Sequence, residues 1–375
     1  MRPAERIDLG VPGLDVLLGD RLAELLGSDD LVRLRLRVKA GTSAALSVRR
    51  GTDHLVVLAA ADHARPKLAK SHDRAARLGA VAAADPEAGL LATYLVGDRD
   101  LPGLRGLPAD AVVLSANPQR RVVARVEGPD GPAVLRVVRP SAHAAAVRGP
   151  RALAGRAGTP RLLDSHARRG TLLTGWVPGQ PLDGPHDGPA TPAALRRAGA
   201  AVADLHGTAT DLPLEGRPLR ALAQARDQLA LLLPARADRV AELAARAAAA
   251  LRDAPGGPAV TLHGDLSRDQ LVLDGNPDAP RVGVLDLDRA RRGDAADDLG
   301  NLLADDLVHG RVPGREQGSA LLAGYAAVRP LPDPTALRAW TAAHLLRRAV
   351  EPFRTCAPDW RSTTTALLAT LEDLC

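Results

Sequence analysis

Residues 261–298 read TLHGDLSRDQLVLDGNPDAPRVGVLDLDRARRGDAADD. A short apolar run ending at Leu262 precedes Asp265. The amide Gln270 follows five residues on, and Asp286 stands in a later apolar run. Leu271, Val272 and Leu273 read as a strand closed by Asp274-Gly275-Asn276, which is turn chemistry. Val282, Val284, Leu285 and Leu287 read as the returning strand. The hairpin would bring Asp265 and Asp286 together on antiparallel strands. Two carboxylates and an amide so placed can hold Mg²⁺ and orient a hydroxyl. Phosphoryl transfer needs little else at its centre, because positioning and countercharge stabilise its transition state.

Around this centre the chain changes character. Upstream, Val38–Ala59 can be laid over Ser115–Arg136 at an offset of 77 residues. Each copy reads strand, turn, strand, Gly turn, strand, which is a small antiparallel meander. Pro66–Leu78 reads as a helix. Ser141–Ala157 reads as a helix interrupted at Pro150, and Leu172–Thr174 as a strand. Beyond residue 190 the pattern is helical. Thr191 is placed to cap a helix with Pro192 in its first turn. Leu195, Ala198, Val202 and Leu205 continue its apolar stripe. Further helices are expected over Leu219–Leu233, Ala235–Leu251, Ser319–Val328, Thr335–Val350 and Ser362–Leu374.

A chain of 375 residues, 46% hydrophobic and 25% charged, can bury the cores of two or three domains. Aromatics are only 2%, so the cores must be aliphatic and little is left for stacking bases. The net charge of +5 is spread along the chain rather than gathered into one arm. Both facts argue against nucleic-acid binding despite a pI near 9.8. Two cysteines, Cys356 and Cys375, make no disulfide framework and fit a reducing, cytoplasmic setting. No signal peptide and no apolar stretch long enough to span a membrane are seen.

The ordered set of motifs resembles the aminoglycoside phosphotransferase family of kinase-like enzymes, over roughly Asp110 to the C-terminus. His263-Gly264-Asp265 with Gln270 is similar to the family's catalytic loop, where Asn is usual at the amide position. The segment from Leu285 to Gly300 is similar to its metal-binding segment. Thr171–Leu182 resembles its hinge, and Ala201–Gly207 its helix ending in Leu-His. The resemblance implies an α+β, bilobal protein-kinase-like fold, with a β-rich N-lobe (108–182) and a helical C-lobe (183–375). An extra β-rich cap domain (1–107) precedes them, similar to the cap of maltokinase-like members. It implies ATP and Mg²⁺ as cofactors and a small-molecule acceptor. Asp265 would orient or deprotonate the hydroxyl, with His263 bracing the loop. Gln270 and Asp286 would hold the metal, and Thr174, Gly175 and Trp176 would meet the adenine. The Ala, Arg, Gly and Pro usage favours an actinobacterial source.

Two departures stand out. The family's phosphate-binding lysine falls on Arg136, which binds phosphate with a different geometry and reach. The segment from Ser141 to Ala157 carries no acid to pair with it. Asn117-Pro118-Gln119-Arg120-Arg121 replaces a glycine-rich loop, with Arg120 and Arg121 either covering phosphates or facing solvent. These departures leave a nucleotide-binding pseudokinase open beside a small-molecule kinase or a maltokinase-like sugar kinase. Asp286, Asp288, Asp294, Asp297, Asp298, Asp305 and Asp306 crowd one segment. They are read either as a receiving surface for a polycationic acceptor or as metal, capping and solvated residues.

Overall fold

A computed structural model describes residues 8–156, 158–183, 191–275, 280–311 and 316–375. It divides into two compact units. The first comprises residues 1–143, 163–174 and 351–360, and the second residues 144–162, 175–350 and 361–375.

The first unit opens with two short helices, α1 (Leu14–Leu18) and α2 (Arg21–Leu26). A five-stranded sheet follows, built from β1 (Leu31–Lys39), β2 (Ser43–Arg50), β3 (Asp53–Ala60), β4 (Val81–Asp85) and β5 (Leu90–Tyr94). Helix α3 (Arg65–Arg77) connects β3 to β4. A second sheet contains β6 (Val112–Asn117), β7 (Arg121–Gly128), β8 (Gly131–Val138), β9 (Leu162–His166) and β10 (Thr171–Gly175). The orders, β1-β2-β3-β5-β4 and β6-β7-β8-β10-β9, are the same. The repeat legible in the sequence therefore extends over the whole five-stranded sheet.

Its offset differs by one residue from the sequence alignment. Ser43 pairs with Ala60 and Arg50 with Asp53, while Arg121 pairs with Val138 and Gly128 with Gly131. Every equivalent pair is displaced by 78 residues, not 77. The difference is decisive in a strand, because a shift of one exchanges its faces. Leu58, not Ala59, is the counterpart of Arg136. Burial agrees: Ala59 and Val137 are both buried, whereas Leu58 and Arg136 are both half-buried. The sheets share an aliphatic core in which Val56, Leu95 and Leu101 meet Ala116, Val122 and Val137.

After β8 the chain forms α4 (Pro140–Ala146) and α5 (Arg148–Ala152). The break falls at Val147, and Pro150 sits inside α5 rather than interrupting a helix. Proline is tolerated there because it lies within the first turn, where no intrahelical N–H bond is lost.

In the second unit, β11 (Gln180–Pro181) is followed by α6 (Pro192–Gly207), α7 (Leu219–Leu232) and α8 (Ala237–Asp253). Thr191 caps α6 as expected, its hydroxyl accepting from the Ala194 N–H at 3.1 Å. Four short strands then carry the decisive stretch: β12 (Ala259–Leu262), β13 (Leu271–Asp274), β14 (Arg281–Val284) and β15 (Arg291–Asp294). Helices α9 (Ala295–Val308), α10 (Glu316–Ala326), α11 (Pro334–Arg348) and α13 (Trp360–Leu374) complete it, while α12 (Glu351–Arg354) belongs to the first unit.

The strand partners correct the sequence reading. β13 and β14 do form the expected hairpin, with Leu271 opposite Val284. The returning strand ends at Val284, however, and Asp286 turns away from it in the left-handed conformation at φ 56°. β12 pairs instead with β15, a strand not legible beforehand because its residues are Arg-Arg-Gly-Asp.

Helices α6 and α10 approach to backbone contact. A Cβ on Gly199 would lie 1.9 Å from the Leu321 carbonyl oxygen, and one on Gly324 2.0 Å from that of Arg196. The two glycines let the helices close over Leu195, Val202, Leu321 and Tyr325 in the unit's core. Gly324→Ala is expected to force them apart and lower stability by about 1–3 kcal/mol. A urea midpoint equal to that of the unsubstituted chain would contradict this packing.

Candidate active site

The loop after β12 is fixed by a buried carboxylate from α9. Asp298 is 1% exposed. Its Oδ2 accepts from the His263 backbone N–H at 2.6 Å and its Oδ1 from that of Gly264 at 2.8 Å. His206, at the end of α6, donates from Nε2 to Asp298 at 3.2 Å, and its Nδ1 accepts from the Tyr325 hydroxyl at 2.9 Å. Burial alone would raise the Asp298 pKa. The His206 hydrogen bond and surrounding cationic groups outweigh it and hold the carboxyl at about 2.

His263 braces the same loop, as expected of it. Its Nε2 donates to the Leu285 carbonyl at 2.6 Å, and its Nδ1 accepts from the Asp265 N–H at 3.3 Å. Gly264 has φ +88°, and a Cβ there would meet the Arg289 carbonyl. Arg291 closes the turn from the other side, donating to the Gly264 carbonyl at 2.9 Å while pairing with Asp297. The backbone around Asp265 is thus held on several sides, whereas its side chain stays 39% exposed. Arg289 Nη1 lies 3.1 Å from Asp265 Oδ2.

Gln270 ends a short 3₁₀ turn (Arg268–Gln270) leading into β13. Its Oε1 is buried with no hydrogen-bond partner. An orphaned amide oxygen suits a hard cation, which takes neutral oxygen ligands. Gln270 and Asp286 belong to adjoining segments, since the Leu285 N–H donates to the Gln270 carbonyl at 2.8 Å. Among the described residues no three His, Cys, Asp or Glu side chains gather as a metal cluster. A Mg²⁺ held by one or two protein ligands together with substrate phosphates needs no such cluster.

The acids within α9 do not form a receiving surface. Asp297, Asp298, Asp305 and Asp306 are all buried. Arg268, itself 2% exposed, pairs with Asp306 at 2.6 Å, and Arg311 bridges Asp306 and Asp305. Arg348 reaches Asp305 at 3.0 Å and Asn301 at 2.9 Å. His344 Nε2 donates to Asp297 at 2.8 Å. Asp294 caps α9. These internal pairs account for the crowding of those carboxylates, and they exist only in the tertiary structure.

The residues expected to meet the nucleotide are distributed as follows. In the first unit, Arg136 lies in β8 opposite Val123; the helices α4 and α5 that follow carry no acid. Arg120 ends the β6–β7 turn and Arg121 begins β7. That turn is pinned: Asp98 accepts from the Gln119 N–H at 2.8 Å, and Arg37 donates to the Pro118 carbonyl at 2.6 Å. Burial, with Arg120 and Arg139 nearby, lowers the Arg37 pKa to about 10. Sequence reasoning missed Arg37 and Asp98 because they come from the front sheet and the segment after it. Thr174 ends the 163–174 segment of the first unit. In the second, the Gly175 N–H already donates to the Arg161 carbonyl at 2.8 Å, which removes that donor from the expected adenine-facing set. Trp176 borders a cleft of about 900 Å³ with Val177, Arg156, Arg197 and Val282, into which none of Asp265, Gln270 or Asp286 opens.

The model of the phosphotransferase enzyme family matches residues 111–340, and the chain belongs to that family. Among solved structures, a choline/ethanolamine kinase family protein from Mesorhizobium loti is 19% identical, with a TM-score of 0.50 over 73% of this chain and 90% of its own. Choline kinase from Cryptosporidium parvum Iowa II is 11% identical, with a TM-score of 0.51 over 74% and 93%. An aminoglycoside-3'-phosphotransferase of type VIII is 21% identical, with a TM-score of 0.50 over 67% and 98%. These likenesses show a kinase-like fold. No curated protein sequence matches the chain.

Asp298→Ala would leave the His263 and Gly264 amides and His206 unpaired in the interior, and is expected to cost about 3–5 kcal/mol. The depressed pKa also fixes a pH dependence. Its stabilisation is complete above the ordinary value of 3.8 and fades as pH falls towards about 2. Urea titrations should show the unsubstituted chain losing its advantage over Asp298→Ala between pH 4 and 2. A constant difference across that range would contradict the assignment.

Proposed function

We propose that this phosphotransferase moves the γ-phosphoryl group of ATP onto a hydroxyl of a small molecule, in the cytoplasm and with Mg²⁺. The observation that carries the reading is the braced loop, which holds the backbone at Asp265 while its side chain stays part-exposed beside Arg289; in the 3₁₀ turn that follows, the Gln270 amide oxygen is buried without a hydrogen-bond partner. Asp265 would orient the acceptor hydroxyl and take its proton as the O–P bond forms. Gln270 Oε1 and the Asp286 carboxylate would hold Mg²⁺. The bound ion would screen the phosphate charge that otherwise repels the incoming oxygen. His263 and Asp298 act on the position of Asp265 rather than on the substrate.

In this reading residues 1–107 form a degenerate copy of the N-lobe (108–182), and 183–375 the catalytic lobe. The identical sheet order and strand register support duplication. Leu58 at the position of Arg136 supports loss of phosphate binding in the front copy. A cap of this kind resembles that of maltokinase-like sugar kinases. Arg136 itself would take the ATP phosphates in place of lysine, with Arg120 and Arg121 beside it. Thr174, the Gly175 carbonyl and Trp176 would frame the adenine.

A second reading, a nucleotide-binding pseudokinase, draws on two observations. The helices after β8 lack an acid, and the β6–β7 turn has an N–H engaged by Asp98 where a phosphate would be received. Turnover separates the two. The purified chain should consume ATP in a Mg²⁺-dependent manner and add the mass of one phosphate to an acceptor. ATP binding without any turnover would favour the pseudokinase.

Asp265→Asn is expected to lower transfer by about 10²–10⁴-fold while leaving the urea midpoint unchanged. Near-normal turnover would place the base elsewhere. Asp286→Asn should raise the Mg²⁺ concentration needed for half-maximal rate, because a ligand charge is lost. An unchanged metal titration would remove Asp286 from the metal site.

A further inference from the structure

The surroundings of Asp265 carry information about the acceptor. Between residues 294 and 348 every described carboxylate is engaged internally. Asp294 accepts from the Gly257 and Ala296 N–H groups, and Asp333 from those of Thr335 and Ala336. Asp297, Asp298, Asp305 and Asp306 are buried and paired as described above. Among the described residues of this stretch, none offers an open carboxylate to a cationic acceptor.

Positive charge is placed differently. Arg289, whose side chain is 53% exposed, lies against Asp265. Arg347, near the end of α11, is half-buried and points its Nη1 at His344 Nδ1, 3.0 Å away. Burial keeps the His344 ring neutral, so Nδ1 accepts while Nε2 donates to Asp297. Asp297 in turn holds Arg291, which holds the Gly264 carbonyl. Arg347 is therefore tied by a chain of hydrogen bonds to the residue before Asp265; burial lowers its pKa, and it feels the charges of Asp265, Arg289, Asp297 and Arg291. No carboxylate lies within ion-pairing distance of it among the described residues. A partly buried guanidinium with no direct ion pair is placed to receive an anion.

We infer that the acceptor is a small hydroxylated anion whose negative group is bound by Arg347 and Arg289 beside Asp265. The inference rests on the phosphotransferase reading and assigns the substrate class of that site. The anion would draw Arg289 off Asp265 and free the carboxylate. The acceptor oxygen then bonds to the γ-phosphorus, the bond from that phosphorus to the bridging oxygen of ADP breaks, and the hydroxyl proton passes to Asp265. A polycation would meet the guanidiniums of Arg289 and Arg347, with Asp265 already paired to Arg289.

Three three-carbon probes share a vicinal diol and differ in the charge of the third carbon's group: glycerate (anionic), glycerol (neutral) and 3-amino-1,2-propanediol (cationic). Calorimetry on the full chain with ADP and Mg²⁺ should show glycerate binding tighter than the aminodiol by about tenfold or more, the worth of one charge-assisted hydrogen bond. Arg347→Gln should remove that preference and Arg347→Lys should keep part of it. Equal binding, tighter binding of the aminodiol, binding of neither, or a preference untouched in Arg347→Gln would each overturn the inference. If Arg347→Gln weakened ATP against ADP and left the glycerate preference intact, the anion would be the γ-phosphate and the inference would also fall. Wild-type ATP turnover is measured separately. Its absence beside an intact glycerate preference would remove the phosphotransferase reading and not the anion site.

Discussion

A single buried carboxylate organises the centre of this molecule. Asp298 gathers two backbone N–H groups of the His263–Gly264 turn and one imidazole N–H, all in the interior. Unpaired, each of those donors would carry a desolvation cost. Paired, they fix where β12 ends and where Asp265 emerges. The same carboxylate links α9 to α6 through His206 and, through Tyr325, to α10. Helix packing and loop geometry are therefore one problem. The glycine contacts between α6 and α10 set how closely those helices approach and hence where His206 sits.

Charge in the second unit is arranged by the same economy of burial. A buried carboxylate is tolerated where a partner offsets its lost hydration. Arg268, Arg311, Arg348 and His344 provide such partners for the acids of α9. The result is a helix, α9, whose Asp297, Asp298, Asp305 and Asp306 are interior, while Asp265 stands part-exposed beside Arg289.

The first unit shows what repetition does to a sheet. Both copies keep order and register, because aliphatic alternation fixes them. They differ where function would act: Leu58 in one, Arg136 in the other. The turn between β6 and β7 has lost glycine and gained fastening from Asp98 and Arg37. Rigidity supplied from outside the turn replaces the freedom that glycine would have given it.

Much of this was legible in the sequence, for local reasons. The His-Gly-Asp loop, the β13–β14 hairpin and the capped α6 each rest on residues close in the chain, whose turn chemistry and apolar period depend on neighbours. The bracing role of His263 followed from the same motif. What local signals could not supply was pairing between distant segments. β15 carries two arginines and an aspartate, and it is a strand only because β12 lies beside it. The repeat was visible but placed one residue out, since similar alternating strands slide past each other with little loss until hydrogen-bond register fixes them. The aspartates of residues 294–306 looked alike in sequence. Tertiary structure separated capping, loop-holding and arginine-paired roles among them, because the sign and distance of each carboxylate's partner are set by helices that meet only in the fold.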